Sequence, residues 1–378
     1  MTAGGLESFD PARLRQRQEP PTRPAPVVII GAGGIVVDAH LPAYRSLGLE
    51  VIGVHDVDVE RARSTAARFS LPRAFETLAA AIEAGARAGA TFDIAVPPDR
   101  LFDVLTQIPA GAAVLMQKPM GTDLFDATRI RAQCRKRRLI AAVNFQLRFA
   151  PMMLALADLV ASGLLGRLVE LEFHVNVHMP WEMWPFLETL PRMELALHSV
   201  HYLDLSRALL GEPRGVYART VKHPRAPRLA SSRSSVILDH GPDVRACFSV
   251  NHHHAFGPRH QDSSLRVEGE RGAAIATLGV NLDYPRGRPD RLEVCFAGGE
   301  WREVPLAGNW FPDAFRGPIC NLQRFAHGED RALVSGVEDA WKTMALVEAC
   351  YASDAHGATA LPKDADPPHD GHETHEER

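Results

Sequence analysis

Apolar positions in the first third of the chain fall in short unbroken runs separated by stretches with helical spacing. Residues 27–30 read Val-Val-Ile-Ile and stop at Gly31. A helical pattern follows over 35–47, and Gly48 can close it in a left-handed conformation. Further apolar runs lie at 51–54, 92–96, 113–116 and 139–143, interleaved with helical stretches at 58–69, 100–108 and 124–137. Asp58 stands where it can cap the first of these. Runs this short and this uniformly apolar predict a parallel sheet buried on both faces, a Rossmann-type doubly wound α/β fold.

Past residue 150 the pattern changes. A helix is predicted over 151–162, then 168–177 alternates apolar and polar residues. A helix over 193–210 is stopped by Gly211 and Pro213. Alternating runs follow at 216–221, 235–239, 244–251, 264–268, 273–278 and 291–296, and helices near 312–327 and 337–354 close the chain. This predicts an α+β domain with an open, mostly antiparallel sheet. The expected organisation is a polar, Pro-rich disordered arm over 1–25, a dinucleotide-binding domain over 26–145, an α+β substrate and oligomerisation domain over 146–362, and an acidic, His-rich disordered tail over 363–378.

The 378 residues are 46% apolar and 23% charged, ordinary values for a globular chain. Segment 363–378 holds two basic and six acidic residues, so the whole net charge of −4 sits there and the body is balanced. A balanced body carries no electrostatic footprint for nucleic acid and no basic face for a membrane. Five scattered cysteines without a CxxC pair, and a first segment without an apolar core, point to a reduced, cytoplasmic protein.

The turn Gly31-Ala32-Gly33-Gly34-Ile35-Val36 directly follows the first apolar run. Gly31 permits a tight turn, and Gly33 lets a pyrophosphate approach the backbone at the next helix's N-terminus. The third position of GxGxxG is Val36, so helix and strand should pack more loosely there. Asp56 ends the next run, where a carboxylate hydrogen-bonds a ribose 2′-hydroxyl and repels a 2′-phosphate. That favours NAD over NADP, with Arg61 and Arg63 as the residues that could reverse it. Lys118, in Met116-Gln117-Lys118-Pro119, ends another run and so faces the ligand crevice, where it can neutralise an alkoxide.

With these residues the sequence resembles the glucose-fructose oxidoreductase / inositol dehydrogenase family (Gfo/Idh/MocA). The carriers are GAGGIVVDAHLPAY at 31–44, VHDVDVERA at 54–62, FDIAVPPDRL at 92–101, VLMQKP at 114–119, NFQLRFAP at 144–151, HSVHYLDLSRALLGEP at 198–213 and SGVEDAWKTMALVEACYAS at 335–353. The resemblance implies that Gly31, Gly33, Gly34 and Ile35 hold the pyrophosphate and Asp56 the adenosine ribose. It implies that Val96, Pro97 and Pro98 lie near the nicotinamide ribose, with Val96 in place of threonine. Gln117 and Lys118 match the family's Glu-Lys-Pro, Lys118 contacting substrate and the nicotinamide side. Asn144 and Arg148 would line the crevice edge between the domains, and His201 matches the histidine assigned as acid/base. The family's aspartate four residues earlier is Leu197 here, and His198 stands on the same helix face instead. A homodimer or homotetramer is implied.

Other candidates are weaker. His252 and His254, and likewise His174 and His178, share strand faces, but no carboxylate pair or cysteine accompanies them and no metal is expected. Trp181 and Trp184, in an aromatic loop, can stack on a sugar ring or pack onto the sheet. The favoured reading is NAD-dependent hydride transfer to or from a sugar, polyol or related cyclic alcohol, with Lys118, His198 and His201 at the reacting hydroxyl. The alternatives are a lyase or epimerase using NAD transiently, and a non-catalytic nucleotide-binding regulator.

Overall fold

The computed structural model describes residues 9–284 and 286–359. Strands β1 (Val27–Ile30), β2 (Val51–His55), β3 (Ala74–Phe75), β4 (Thr91–Ile94), β5 (Ala113–Met116) and β6 (Ile140–Val143) form one sheet in the order β3-β2-β1-β4-β5-β6. Every pairing in it is parallel. Val27–Ile30 is buried at all four positions, which is why no alternation shows in its sequence. Strand order reverses at β1, so the chain ends of β1 and β4 open a ligand crevice.

The second sheet holds β7 (Leu168–Asn176), β8 (Gly215–Val221), β9 (Arg233–Asp239), β10 (Arg245–Asn251), β11 (Asp262–Gly269), β12 (Gly272–Thr277), β13 (Arg291–Phe296) and β14 (Arg302–Glu303). Their order is β14-β13-β12-β11-β7-β10-β9-β8. All pairs are antiparallel except β7 with β10. The inner face, with Phe173, Val236, Phe248 and Leu265, is buried, while Tyr217 and Ile237 on the outer face are exposed. Phe173 stacks on Tyr202 of the Val200–Leu210 helix at 4.5 Å, which seats that helix on the sheet.

One expectation is corrected. From Phe9 onward the arm is not disordered: its polar groups are satisfied by the body. Phe9 meets Phe296 edge-on at 4.9 Å, Gln16 bonds the Pro305 carbonyl and the Ala307 N–H, and the Thr22 hydroxyl donates to Glu329. The first sheet also draws on a helix from late in the chain. The Arg316–Ala326 helix returns to the first sheet, where Ile319, Cys320 and Leu322 share a core with Val27, Ile29, Leu115 and Ala142. A parallel sheet needs both faces covered, and a late helix covers part of one. Residues 1–8 and the tail over 363–378 lie outside the described residues. Among the described residues no helix is long and apolar enough to cross a membrane.

Candidate active site

The glycine turn is built as its sequence requires. Gly31 has φ +108°, and a Cβ there would come within 2.3 Å of the Ala95 carbonyl oxygen. No other residue fits. At Gly33 a Cβ would meet nothing within 4 Å, so the protein's own packing leaves open room that a phosphate can fill. Gly34 is exposed and Ile35 half-buried beside it. Val36 begins a π-type turn over Val36–His40 that precedes the Leu41–Leu47 helix. The wider turn stands where the third glycine is missing, and the regular α-helix begins only at Leu41.

Asp56 is buried, with Oδ2 accepting from Ala32 N at 2.7 Å and Oδ1 from Asp58 N at 2.9 Å. The carboxylate thus sits directly against the glycine turn. Arg61 is paired with Asp56 and Asp58, and Arg63 with Glu60 and Glu76. Neither arginine is left to receive a 2′-phosphate. Val96 and Pro98 are half-buried and Pro97 exposed in the turn after β4. Asp56→Ala should weaken NADH binding about tenfold, the loss of roughly 1.4 kcal/mol, by fluorescence titration. An unchanged affinity would remove Asp56 from the cofactor site.

A buried network that the sequence reading did not single out supports the next two positions. His40 Nδ1 lies 2.7 Å from Asp93 Oδ2, which also accepts from the Tyr44 hydroxyl at 2.8 Å. With Nδ1–H given to the carboxylate, Nε2 is an acceptor facing the amides of Gln117 (3.1 Å) and Asn144 (3.3 Å). Gln117 Oε1 accepts from the Lys118 N–H at 2.8 Å. Asp93 inside an otherwise apolar strand was the available signal.

Lys118 is half-buried and its Nζ donates to the Leu197 carbonyl at 2.7 Å. Burial pulls its ammonium down to about 8. Leu197 belongs to the π-type turn Glu194–Ser199 that leads into the Val200–Leu210 helix. Such turns favour functional sites because they displace backbone groups from the regular ladder. The Leu197 side chain packs, partly buried, against the apolar cluster that includes Met179, Trp181 and Met193. A backbone carbonyl, not a side-chain carboxylate, therefore faces Lys118 at this position.

His201 is buried, its Nδ1 has no hydrogen-bond partner, and its ring lies between Phe145 (6.2 Å) and Trp310 (5.8 Å). His198 packs at 4.8 Å from His252 and 5.0 Å from Trp181. Burial holds His201 well below the usual imidazole range, with Lys118 adding to it. Burial does the same to His198, helped by His252, Lys118 and His201. Both imidazoles are thus neutral proton acceptors at neutral pH.

Comparisons with known proteins identify the family. Residues 26–145 match a model described as an oxidoreductase family with an NAD-binding Rossmann fold, and residues 153–275 match the GFO/IDH/MocA C-terminal domain. The chain belongs to the Gfo/Idh/MocA oxidoreductase family. D-apiose dehydrogenase of Paraburkholderia graminis is 26% identical over 335 residues, covering 85% of either chain. Inositol 2-dehydrogenase 2 of Saccharopolyspora erythraea is 28% identical over 347 residues, 88% of this chain and 94% of its own. A solved Agrobacterium radiobacter oxidoreductase in complex with NAD+, L-tartaric acid and magnesium shares the fold, with TM-score 0.74, 21% identity, and coverage of 89% of this chain and 98% of that one.

As a Gfo/Idh/MocA oxidoreductase the protein binds NAD, as the motifs implied. Two expected site residues are placed elsewhere. Arg148 is not turned to the crevice: its guanidinium makes a two-pronged pair with Asp204 (2.5 and 2.6 Å) and reaches Asp339 at 2.8 Å. Trp181 is buried behind His198 and His252, so it is a wall of the site, whereas Trp184 stays half-buried beside Tyr284 at 5.5 Å. Strand β10 ends at Asn251 and the histidine run follows it directly. His252 turns into the site, while His253 stacks on His223 at 4.4 Å and bonds the Ser232 hydroxyl at 2.6 Å. Among the described residues no group of three or more His, Cys, Asp or Glu is placed to hold a metal ion.

Proposed function

We propose that the protein transfers hydride between NAD and a carbon–oxygen centre of a sugar, polyol or related cyclic alcohol. The observation that carries this reading is the gathering of one half-buried amine and two neutral imidazoles at the crevice end of an NAD-binding sheet. The names of the apiose and inositol dehydrogenases among its relatives support the same substrate class.

Bound NAD supplies the hydride acceptor in one direction and the donor in the other. Gly31, Gly33, Gly34 and Ile35 present backbone N–H groups to its pyrophosphate. Lys118 keeps one N–H on the Leu197 carbonyl and turns the others to the substrate oxygen, where they stabilise developing negative charge. His201 takes the hydroxyl proton, and His198 orients it or acts in its place. Trp184 and Tyr284 offer aromatic faces to the ring of the substrate. The exposed outer face of the second sheet is the surface on which a homodimer or homotetramer would assemble.

The test is incubation with NAD+ and a panel of sugars, inositols and glycosides, following nicotinamide absorbance and product mass together. Reduction of NAD+ by one compound class is the expected result. Product without a net absorbance change would replace this reading with transient redox chemistry. Silence in both channels with NADH bound would favour a regulator.

The pH profile is a second check. His198 and His201 stay neutral as pH falls through 6.5, so alcohol oxidation should hold its plateau there. Carbonyl reduction should decline above about 8, where Lys118 loses its proton. Lys118→Arg should push that alkaline limb upward. A limb that does not move would assign it to another group.

A further inference from the structure

The family's aspartate is absent at Leu197, yet a carboxylate reaches the site by another route. Glu194 opens the π-type turn and is only 1% exposed. Its Oε1 accepts from the Ser199 hydroxyl at 2.5 Å and its Oε2 from the Ser234 hydroxyl at 2.5 Å. Oε1 also lies 3.5 Å from Nε2 of His252. His252 is itself 1% exposed, and neither of its ring nitrogens has a hydrogen-bond partner among the described residues. Its ring packs against His198 at 4.8 Å and Trp181 at 5.4 Å.

We propose that Glu194 and His252 are a positioning pair for His198, supplying from a neighbouring turn and strand end the carboxylate that position 197 lacks. The proposal rests on the hydride-transfer reading above. A proton taken by His198 creates a cation among Lys118, His201 and His252, none of which can offset it. The Glu194 charge lies just beyond His252, in an interior where Coulomb attraction is weakly screened. With Glu194 Oε1 3.5 Å from Nε2, the tautomer that places its proton there is favoured electrostatically, and this biases the ring surface on which His198 rests. The other titratable groups facing Glu194 are Tyr202, Cys350 and Tyr351, and burial and the Glu194 charge together push all three upward. Ser199 and Ser234 hold Glu194 in place, so its aim at His252 does not depend on the substrate.

Glu194→Gln keeps the shape and removes the charge. The acid limb of kcat/KM for alcohol oxidation should move to lower pH by roughly half a unit, and kcat at neutral pH should fall about tenfold, within the range for acid–base support. NADH affinity and melting temperature should hold. Glu194→Asp, which keeps the charge, should leave the limb where it was. A loss of kcat with an unmoved limb would reduce Glu194 to a structural role and overturn the proposal. A second measurement needs no turnover. Imidazole nitrogen shifts of the histidine-labelled parent protein, assigned with His252→Gln, should show His252 as a single tautomer protonated at Nε2. Two tautomers in exchange would overturn the pair even if the enzyme oxidises alcohols. A single tautomer in a protein inactive on every substrate would keep the pair and discard the hydride-transfer reading.

Discussion

Lys118→Met lowers kcat by about 10²–10⁴-fold, the range for a lost acid–base or charge-stabilising group, while NADH affinity stays close to that of the parent. Methionine keeps the length and apolar stem of lysine, so the packing around the β5 end survives. What is lost is the only amine in contact with the Leu197 carbonyl, 2.7 Å away. Burial already pulls that amine down to about 8, so its proton is loosely enough held to be shared with a substrate oxygen near neutral pH. Removing it also removes a cation that depresses both His198 and His201. The remaining imidazoles should therefore titrate higher, and the residual activity should show its acid limb at higher pH than the parent. Stopped-flow single turnovers and fluorescence titration of NADH separate the two readouts. An equal loss in turnover and in NADH affinity would place Lys118 in cofactor binding and not in chemistry.

The parallel sheet was legible because burial on both faces erases alternation, and β1, β4 and β5 show that directly. The Leu78–Ala88 helix was not: the alanine-rich LAAAIEAGARA has few large apolar residues to mark its buried face, and the Thr77 cap and Gly89 are its clearest signals. The glycine turn and Lys118 were legible because their chemistry is local in sequence. Glu194 and His252 were not paired, since the turn and the strand end that hold them meet only in the fold. Each left a partial trace. Glu194 stands between Met193 and Leu195, both buried, so a charge was being taken inside. Ala246, Phe248 and Val250 face inward at every second position, and the same parity carried two residues further falls on His252. His40 likewise repeats the inward face of Val36 and Tyr44. Leu197 explains the missing aspartate in physical terms: its side chain fills an apolar cluster around Trp181, a place where an unpaired carboxylate would be costly.

Arg148 was expected at the crevice edge from the resemblance alone, and the structure pairs it with Asp204; its replacement gives the second large effect. Arg148→Met should destabilise the protein by about 3–5 kcal/mol, because it strands a buried partner charge. The partner is Asp204, whose side chain is 1% exposed against 10% for Arg148. Once the guanidinium is gone, Asp204 keeps the Thr343 hydroxyl at 2.8 Å, and its nearest cation is Arg207 at 4.0 Å. Arg207 is already committed to Glu212 and Asp339. The cost falls on function as well as stability. Asp204 follows His201 by less than one turn, and Arg148 links that helix to the Gln146–Phe149 turn after β6 and, through Asp339, to the Val337–His356 helix. Denaturant unfolding should show the loss, while the folded fraction keeps a near-normal KM. The double variant Arg148→Met, Asp204→Leu should recover most of the stability, since an apolar pair of similar volume is no worse than a buried ion pair. A raised KM with unchanged stability would instead return Arg148 to the substrate crevice. The recovery in the double variant is the sharper readout, because a residue that binds substrate has no reason to be rescued by removing Asp204.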